Sequence, residues 1–204
     1  MDSTNFRDPY GKKNITIIDR FGVYLSALAI KKHLPRNKEL TIMDLGCGYD
    51  ASLLVALRNK IKQGVGVDFS VNPNLNNISN LTFIESSIER AIEQNNEASP
   101  NVIMMVSVLE HLKNPEEILQ KCYRLLPQGG TLLINVPTWR GKTFLEFSAF
   151  KLGLSPKIEM DDHKMYYDKR DLWPLLVSAG FKPSLINLRY HKFSLNLFAI
   201  AHKE

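Results

Sequence analysis

A short apolar segment followed by two closely spaced glycines constrains the fold of this chain more than any other feature. Residues 41–45 are mostly apolar and partly β-branched, which predicts a buried strand. Gly46 and Gly48 follow, and because they lack a Cβ atom the backbone there can turn left-handed and let a ligand approach. Asp50 is then predicted to cap a helix with the apolar positions Leu53, Leu54, Ala56, Leu57 and Ile61. Such a turn holds a small polar or anionic ligand at the mouth of a parallel sheet.

A second predicted strand, residues 64–68, ends in an acidic residue. Asp68 lies 22 positions after Gly46, and a carboxylate about 20 residues beyond a glycine turn accepts hydrogen bonds from ribose hydroxyls in dinucleotide folds. Each feature has a plainer explanation when taken alone. The glycines could serve only packing, and Asp68 could be a helix cap or a solvated loop acid. Together they favour an adenosine-type ligand.

Several motifs in one order then resemble a known family. Asp-Leu-Gly-Cys-Gly at 44–48, followed by Val-Gly-Val-Asp at 65–68, resembles the class I S-adenosylmethionine-dependent methyltransferases. Val-Leu-Glu-His-Leu at 108–112, Pro115, the segment 123–130 and the segment 172–181 are similar to the same family. The resemblance runs from about residue 41 to the last residue. A nicotinamide-binding turn would instead carry Gly-x-Gly-x-x-Gly, and here position 51 is alanine.

The predicted fold is α/β: a Rossmann-like, seven-stranded, mostly parallel sheet with helices on both faces and a C-terminal antiparallel hairpin. We expect one methyltransferase domain over residues 1–204, with an N-terminal helical cap at 1–38 and a substrate lid at 137–167. Local patterns predict helices at 17–33 and 115–126, strands at 81–84, 102–108 and 131–136, and a hairpin of strands 184–190 and 193–201. A further helix is predicted to start between Asp168 and Asp171, and Pro174 favours the later start. The first of these helices is predicted to pack through Phe21, Tyr24, Leu25, Leu28 and Ala29.

The resemblance implies S-adenosyl-L-methionine as cofactor, and its residues carry over by position. Ser86 and Ser87 match the place that meets the adenine, although Ser87 is equally placed to cap a helix. Tyr10, Arg20 and Tyr24 of the cap are weaker candidates. The expected cofactor-binding residues are Asp44, Gly46, Cys47, Gly48, Asp68, Phe69, Ser86, Ser87, Ser107 and Val108.

Two histidines are candidate catalytic residues. Methyl transfer from a sulfonium mainly needs alignment of donor and acceptor, whereas a hydroxyl acceptor also needs a base. Histidine is the side chain best tuned for that role near neutral pH. His111 follows the central predicted strand, and His163 lies in the lid beside Asp162. A histidine in such a place is more often structural than catalytic.

Composition and missing motifs exclude several classes. With two cysteines the chain has neither a disulfide framework nor a cysteine metal site, and no metal is expected. No apolar run reaches about 18 residues, and the N-terminus lacks a signal-peptide core, so we expect a cytoplasmic protein without a transmembrane segment. Asn/Asp-Pro-Pro-Tyr is absent after the central strand, which argues against DNA amino-methylation, and the absence of Pro-Cys there argues against cytosine-ring methylation.

The sequence therefore predicts a methyltransferase for a small molecule or a glycan- or lipid-linked intermediate, with oxygen as the favoured acceptor atom. Trp139, Arg140 and Lys142 of the lid favour an acceptor with an apolar part and an anionic group. Two alternatives stay open. Asp50 in place of the family's third glycine allows a non-catalytic binding protein, and the net charge of +5 allows an RNA-directed enzyme. The sequence does not define the acceptor or the oligomeric state.

Overall fold

The strands form a single sheet. The structure, a computed structural model, describes residues 17–35, 39–94, 99–147 and 164–204. The strands in these ranges are Thr41–Leu45 (β1), Gln63–Asp68 (β2), Leu81–Glu85 (β3), Val102–Val106 (β4), Thr131–Pro137 (β5), Ile186–His191 (β6) and Asn196–His202 (β7). Their order across the seven-stranded sheet is β3-β2-β1-β4-β5-β7-β6.

Helices connect these strands. The α-helices of the described ranges are Ile17–His33 (α1), Ser52–Leu57 (α2), Ile88–Gln94 (α3), Pro115–Leu125 (α4), Trp139–Phe147 (α5) and Lys169–Ser178 (α6). Short 3-10 turns lie at Arg58–Lys60, Pro73–Asn77, Leu109–His111 and Pro183–Leu185. Over the same ranges, no helix combines the length and apolar character that a membrane-crossing segment needs.

Strand direction places a crevice at one edge of the sheet. β1 to β5 pair in parallel, whereas β7 pairs antiparallel with both β5 and β6. Successive strands run outward from β1 through β2 to β3, and the chain then returns to place β4 on the other side of β1. Such a reversal opens a crevice outside the carboxyl ends of the two central strands, where ligands of this fold class bind. The Rossmann-like sheet and the C-terminal hairpin of the sequence prediction are confirmed.

Two apolar layers cover the sheet. Because side chains alternate along a strand, Met43 and Ile103 join one layer while Ile42 and Met104 join the other. The first layer is completed by α3, α4 and α6, and the second by α1 and α2. Strands that are apolar on both faces therefore occupy the centre of the sheet, as expected for parallel strands under helices.

The predicted packing face of α1 is wrong at three of its five residues, whereas Leu25 is half-buried and Ala29 packs against the second layer. Phe21, Tyr24 and Leu28 are exposed, whereas Ala27 and Ile30 are buried. Ser26 lies on the buried stripe, where its hydroxyl contacts a buried polar side chain of β5. Serine is polar, so a search for apolar periodicity treats Ser26 as facing solvent and selects a different face of the helix as buried. The polar partner that pulls Ser26 inward is visible only in the tertiary structure.

Several predicted boundaries also shift: the hairpin strands are Ile186–His191 and Asn196–His202 instead of 184–190 and 193–201, and two further shifts have a local cause. β4 ends at Val106 instead of position 108, because Ser107 adopts a φ of 56° that no strand residue has. α6 starts at Lys169 because Asp168 and Asp171 form a capping box. The Asp168 carboxylate accepts the Asp171 backbone amide, and the Asp171 carboxylate accepts the Asp168 backbone amide. Pro174 consequently lies inside the helix and not in its first turn, so the later start was wrong.

Two phenylalanines, one buried and one exposed, test which side chains stabilise the core. Phe181 is 1% exposed and meets Tyr123 edge-to-face with 4.9 Å between ring centroids, whereas Phe193 is 88% exposed. We expect Phe181→Ala to lower the free energy of unfolding by about 3–5 kcal/mol. Phe193→Ala should change it by less than about 0.5 kcal/mol. Urea titrations of the two variants measure both values, and equal losses would contradict this description of the core.

Candidate functional site

The glycine turn after β1 is tied to β2 and pressed against the segment after β4. Gly46 and Gly48 both have a φ of 76°, in the left-handed region that favours glycine. The Gly46 and Cys47 amides both donate to the Val67 carbonyl, at 2.8 and 3.1 Å. A Cβ atom at Gly46 would lie 2.3 Å from Cγ2 of Val108. Glycine is therefore required at position 46 by both torsion and space.

Asp68 lies against this turn. Its Oδ2 accepts the Gly48 amide at 2.8 Å, and its Oδ1 accepts the Phe69 amide at 2.8 Å. Burial raises the pKa of Asp68, and these two hydrogen bonds oppose the rise. The Ser86 amide donates to the Asp68 carbonyl at 2.9 Å, so the adenine-end residues predicted from position adjoin the same strand end. The structure thus brings the turn, Asp68, Phe69 and Ser86 together.

Asp44 is a buried acid at the same strand end. It is 1% exposed, and its Oδ2 has no hydrogen-bond partner in the part of the chain that the structure describes. Burial first, and the nearby charge of Asp68 second, raise the pKa of Asp44 to about 7. Burial also raises the pKa of the neighbouring Cys47 thiol, so that side chain stays protonated.

Asp50 does not cap the following helix, which corrects the sequence prediction. Ala51 precedes the helix with a φ of 42°, and no side chain caps it. Asp50 instead accepts the Asn72 side-chain amide at 2.9 Å, while the Asn72 backbone amide donates to the Tyr49 carbonyl at 2.8 Å. The acid at the family's third-glycine position therefore joins the glycine turn to the loop after β2. Ala56, an apolar position of the predicted helix, is exposed, and Ile61 lies beyond the helix, which ends at Leu57.

The other predicted residues take mixed positions. Ser87 Oγ accepts the Arg90 amide at 3.3 Å, which is the capping contact that the sequence left open. Ser107 is exposed, with its amide bonded to the Asn135 carbonyl at 2.8 Å, and Val108 is buried under the turn. His111 is half-buried, and its carbonyl accepts Lys164 Nζ at 2.6 Å.

Some predictions lie outside the described residues or side chains. They concern His163, Asp162, Tyr10 and Arg20.

Of the lid residues, Trp139 is anchored, since its indole donates to Asp171 at 3.2 Å and its ring lies 5.6 Å from that of Tyr166. Arg140 is exposed. Across the described ranges, no group of three His, Cys, Asp or Glu side chains converges as a metal site.

Sequence reasoning missed a second buried acid, Glu110, in the turn after β4. It is 1% exposed, and no side chain among the described residues hydrogen-bonds its carboxylate. Burial raises its pKa to about 8, against the Glu110 backbone amide and then the charge of Lys192, which both favour the ionised form. Burial likewise lowers the pKa of Lys192 to about 8. The motif at 108–112 contained this signal, but the histidine beside Glu110 was the more familiar base.

Polar contacts hold the remaining elements at this edge of the sheet. Asn135 of β5 donates to Ser26 Oγ at 3.1 Å, which fixes α1 over the end of that strand, and Asn135 Oδ1 has no partner within the described chain. Thr138 Oγ1 donates to the Ser194 carbonyl at 2.8 Å, and the Thr138 amide donates to the Leu195 carbonyl at 3.0 Å. The turn between β6 and β7 is thereby held beside the ends of β4 and β5.

Comparison with known proteins identifies the family of this domain. Residues 17–186 match the family model described as a methyltransferase domain. The mitochondrial ubiquinone biosynthesis O-methyltransferase of Dictyostelium discoideum is 28% identical over 154 residues, which cover 67% of this chain and 46% of that protein. The chain thus spans less than half the length of the curated relatives that it matches.

Solved structures share the fold at low identity. The methyltransferase in a Haloferax volcanii complex with the Trm112 methyltransferase activator has a TM-score of 0.70 at 14% identity, covering 90% of this chain and 91% of that one. Magnesium protoporphyrin IX methyltransferase from Synechocystis PCC 6803, with bound SAH, has a TM-score of 0.63 at 16% identity, covering 96% and 91%. These likenesses concern the fold alone.

Two glycines with nearly the same φ test whether the close approach of Val108 requires glycine at position 46. Gly46 and Gly129 have φ values of 76° and 74°, but a Cβ atom at Gly129 would have no heavy atom within 4 Å. Alanine at either position incurs similar left-handed strain of about 1–2 kcal/mol. Only Gly46→Ala adds the clash with Val108, so we expect it to lower the free energy of unfolding by about 1–3 kcal/mol more than Gly129→Ala does. Denaturant titration measures the difference, and equal losses would disprove the clash.

Asp44 should make folding stability depend on pH. Its pKa is 3.8 in an exposed state and about 7 in the fold, so the folded chain binds more protons between these values. Stability should therefore fall as pH rises from about 4 to about 7, by up to about 1.4 kcal/mol per pH unit for this group. Asp44→Asn cannot titrate, and its stability curve should be flatter over this window. Parallel curves for the two proteins, measured in urea at each pH, would refute the raised pKa.

Proposed function

The chain belongs to the class I S-adenosylmethionine-dependent methyltransferase family, and on that premise we propose that it methylates an oxygen of a small molecule or of a glycan- or lipid-linked intermediate. The observation that carries the proposal is the Asp68 carboxylate bonded to the Gly48 amide at the crevice. The curated relative that matches two thirds of this chain is an O-methyltransferase, which supports oxygen as the acceptor atom.

The residues at the crevice fit S-adenosyl-L-methionine, which supplies a methyl group already activated on a sulfonium. Asp68 would bind the ribose hydroxyls, because its carboxylate keeps lone pairs beyond the two amides that it accepts. Gly46 and Gly48 let the ligand approach their backbone. The unpartnered Oδ2 of Asp44 would accept a hydrogen bond from the amino group of the methionine part. Cys47, Phe69, Ser86, Ser87, Ser107 and Val108 would complete the surface around the cofactor.

The acceptor would enter from the edge where β4 and β5 end. His111 remains a candidate base there, and His163 is proposed to join it from the lid. Trp139 and Arg140 support an acceptor with an apolar part and an anionic group, since both side chains are exposed near the start of the lid, residues 137–167. We propose a single domain over residues 1–204, in which residues 1–38 cap the cofactor and residues 137–167 cover the acceptor. The chain's own contribution is alignment, exclusion of water and removal of one proton.

Removal of the Asp68 carboxylate should weaken cofactor binding without unfolding the chain. A charged hydrogen-bonding group contributes about 1.5–3 kcal/mol, so Asp68→Ala should bind S-adenosylmethionine about 10- to 100-fold more weakly. Glu117→Ala is the matched control, because Glu117 is exposed on α4, where its carboxylate bonds Lys121 and Asn114. Isothermal titration calorimetry measures both affinities, and equal affinities would refute the ribose-binding role.

The same protein then tests the reaction. Incubation with methyl-labelled cofactor and fractionated cell extract should transfer label to an acceptor. Cofactor binding without transfer to any fraction would favour the non-catalytic alternative, and salt-dependent binding of RNA with label in the RNA fraction would favour the RNA-directed one.

A further inference from the structure

A groove lies between α1 and the edge strand β6, and none of the residues proposed for the cofactor lines it. Its volume is about 280 Å³. One water occupies roughly 30 Å³, so the groove has room for a small organic molecule. We call it the α1–β6 groove. Its lining includes residues from α1, β6 and β7, among them Leu28, Lys32, His33, Arg189, His191 and Phe198.

Phe198 of β7 forms the floor of the groove. It is 3% exposed, and it pairs with Arg189 across the ladder between β6 and β7. Its ring centroid lies 5.7 Å from that of His33 and 6.1 Å from that of His191. Arg189 and His191 are two positions apart on β6, so their side chains lie on the same face of the strand. Basic side chains from a helix and a strand therefore surround one aromatic ring.

The positive charge in the groove is not balanced by an acid. Among the described residues that line it, none is aspartate or glutamate. Burial lowers the pKa of His33, and the charges of Arg189, Lys32 and His202 lower it further. All three of these neighbours are basic, so the groups around His33 repel one another when they are protonated. The groove thus has a positive potential that a bound anion would offset.

The end of α1 explains only part of this charge. Its last turn carries Lys31, Lys32 and His33, and basic residues are favoured there because the carbonyl end of a helix is partly negative. Arg189 and His191 belong to a strand, so the helix dipole does not account for them. The convergence of basic groups from both elements on one cavity therefore needs a further reason.

Arg189 is positioned to bind an oxyanion. Its Nε donates to Asn187 Oδ1 at 2.9 Å, from two positions along the same strand, and this bond orients the guanidinium. The two terminal nitrogens have no hydrogen-bond partner in the described part of the chain. Such a guanidinium can bond two oxygens of one phosphate at once. Lys32 is exposed at the same groove and supplies a second positive charge.

We propose that the α1–β6 groove is a second ligand site and that it binds a small organic phosphate monoester. Lys32 and Arg189 bind the phosphate oxygens, and the organic part packs against Leu28 and Phe198. A phosphate monoester carries a charge of about −1.5 to −2 at neutral pH and has three acceptor oxygens, which matches two permanent cations. A carboxylate carries a single charge and matches only one of them. The site is independent of the proposed function, because its residues lie outside the cofactor crevice.

NMR of the histidine rings tests the site in the full chain. During titration with phenyl phosphate, the ring signals of His33 and His191 should move, whereas those of His111, which is outside the groove lining, should not. The pKa of both groove histidines should rise by at least about 0.5, a threefold change in the protonation ratio, because a nearby dianion favours the imidazolium form. Addition of S-adenosylhomocysteine should not displace the probe.

The starting point of that titration follows from the groups around each ring. For His33, burial and the charges of Arg189, Lys32 and His202 lower the pKa. For His191, burial and the charge of Lys192 lower the pKa, while a hydrogen bond with the Leu25 backbone opposes them. Both rings therefore begin below the ordinary histidine value of 6.5, and the bound dianion acts against these causes.

Charge removal in the groove should weaken the probe. Arg189→Met and Lys32→Met should each lower the affinity for phenyl phosphate about tenfold, because each removes a charged hydrogen bond. Arg189→Lys keeps the charge but loses the two-pronged contact, so its affinity should lie between those of Arg189→Met and the unaltered chain. The matched controls are Arg170→Met and Lys60→Met, since both side chains are exposed and outside the groove lining. Neither control should change the affinity.

Two further probes define the ligand class. Inorganic phosphate lacks the organic part and benzoate lacks the second charge, so each should bind about tenfold more weakly than phenyl phosphate. Benzoate binding as tight as that of phenyl phosphate would overturn the phosphate assignment.

Other outcomes would overturn the site itself. These are unmoved His33 and His191 signals at millimolar phenyl phosphate, movement of His111 alone, displacement of the probe by S-adenosylhomocysteine, or equal weakening by Arg170→Met. RNA that binds the groove more tightly than phenyl phosphate, with an affinity that falls steeply with salt, would overturn the small ligand in favour of a nucleic acid. Binding of vesicles that contain phosphatidic acid, without binding of the soluble ester, would overturn it in favour of a lipid headgroup.

Discussion

The hydrogen bond from the Gly48 amide to the Asp68 carboxylate is the contact on which the candidate site depends. It joins the turn after β1 to the end of β2, and the amides of Gly46 and Cys47 reinforce it by donating to the carbonyl before Asp68. These bonds hold the turn open in a left-handed form that only glycine adopts without strain. The result is a rigid rim at the point where the strand order reverses, which is where a nucleoside ligand meets backbone amides and a carboxylate together.

Around that rim, several buried polar atoms have no hydrogen-bond partner among the described residues. Asp44 Oδ2 lies beside the turn, while the carboxylate of Glu110 and Oδ1 of Asn135 lie toward the neighbouring strand ends. Isolated buried polar atoms of this kind lower stability, so their concentration at one sheet edge supports the binding role proposed for that edge. Asp44 lies on the side proposed for the cofactor.

Local sequence patterns predicted most elements, with bounds that mostly differ by one to three residues from those observed, because the type of an element depends on short-range chemistry. β1 and α1 match the predicted residues. The Ser87 cap of α3 and the hairpin near His191 also depend on residues close by in the sequence. Predictions failed where a distant residue competes for a side chain. Asp50 bonds Asn72 instead of capping α2, and Ser26 turns inward to Asn135, which changes the packing face of α1. Those partners lie in other elements, beyond the reach of any local pattern.

The sequence by itself determined the strand–turn–helix motif, the place of Asp68 beside it and the parallel α/β class, because glycine torsions and apolar periodicity act within a few residues of the chain. Only the tertiary structure decided which acids are buried and which cation lies near them. Glu110 and Lys192, for example, are 82 positions apart in the sequence, yet the charge of each favours the ionised form of the other. Burial and charge act through space, so their effect on these two groups has no local signature in the sequence.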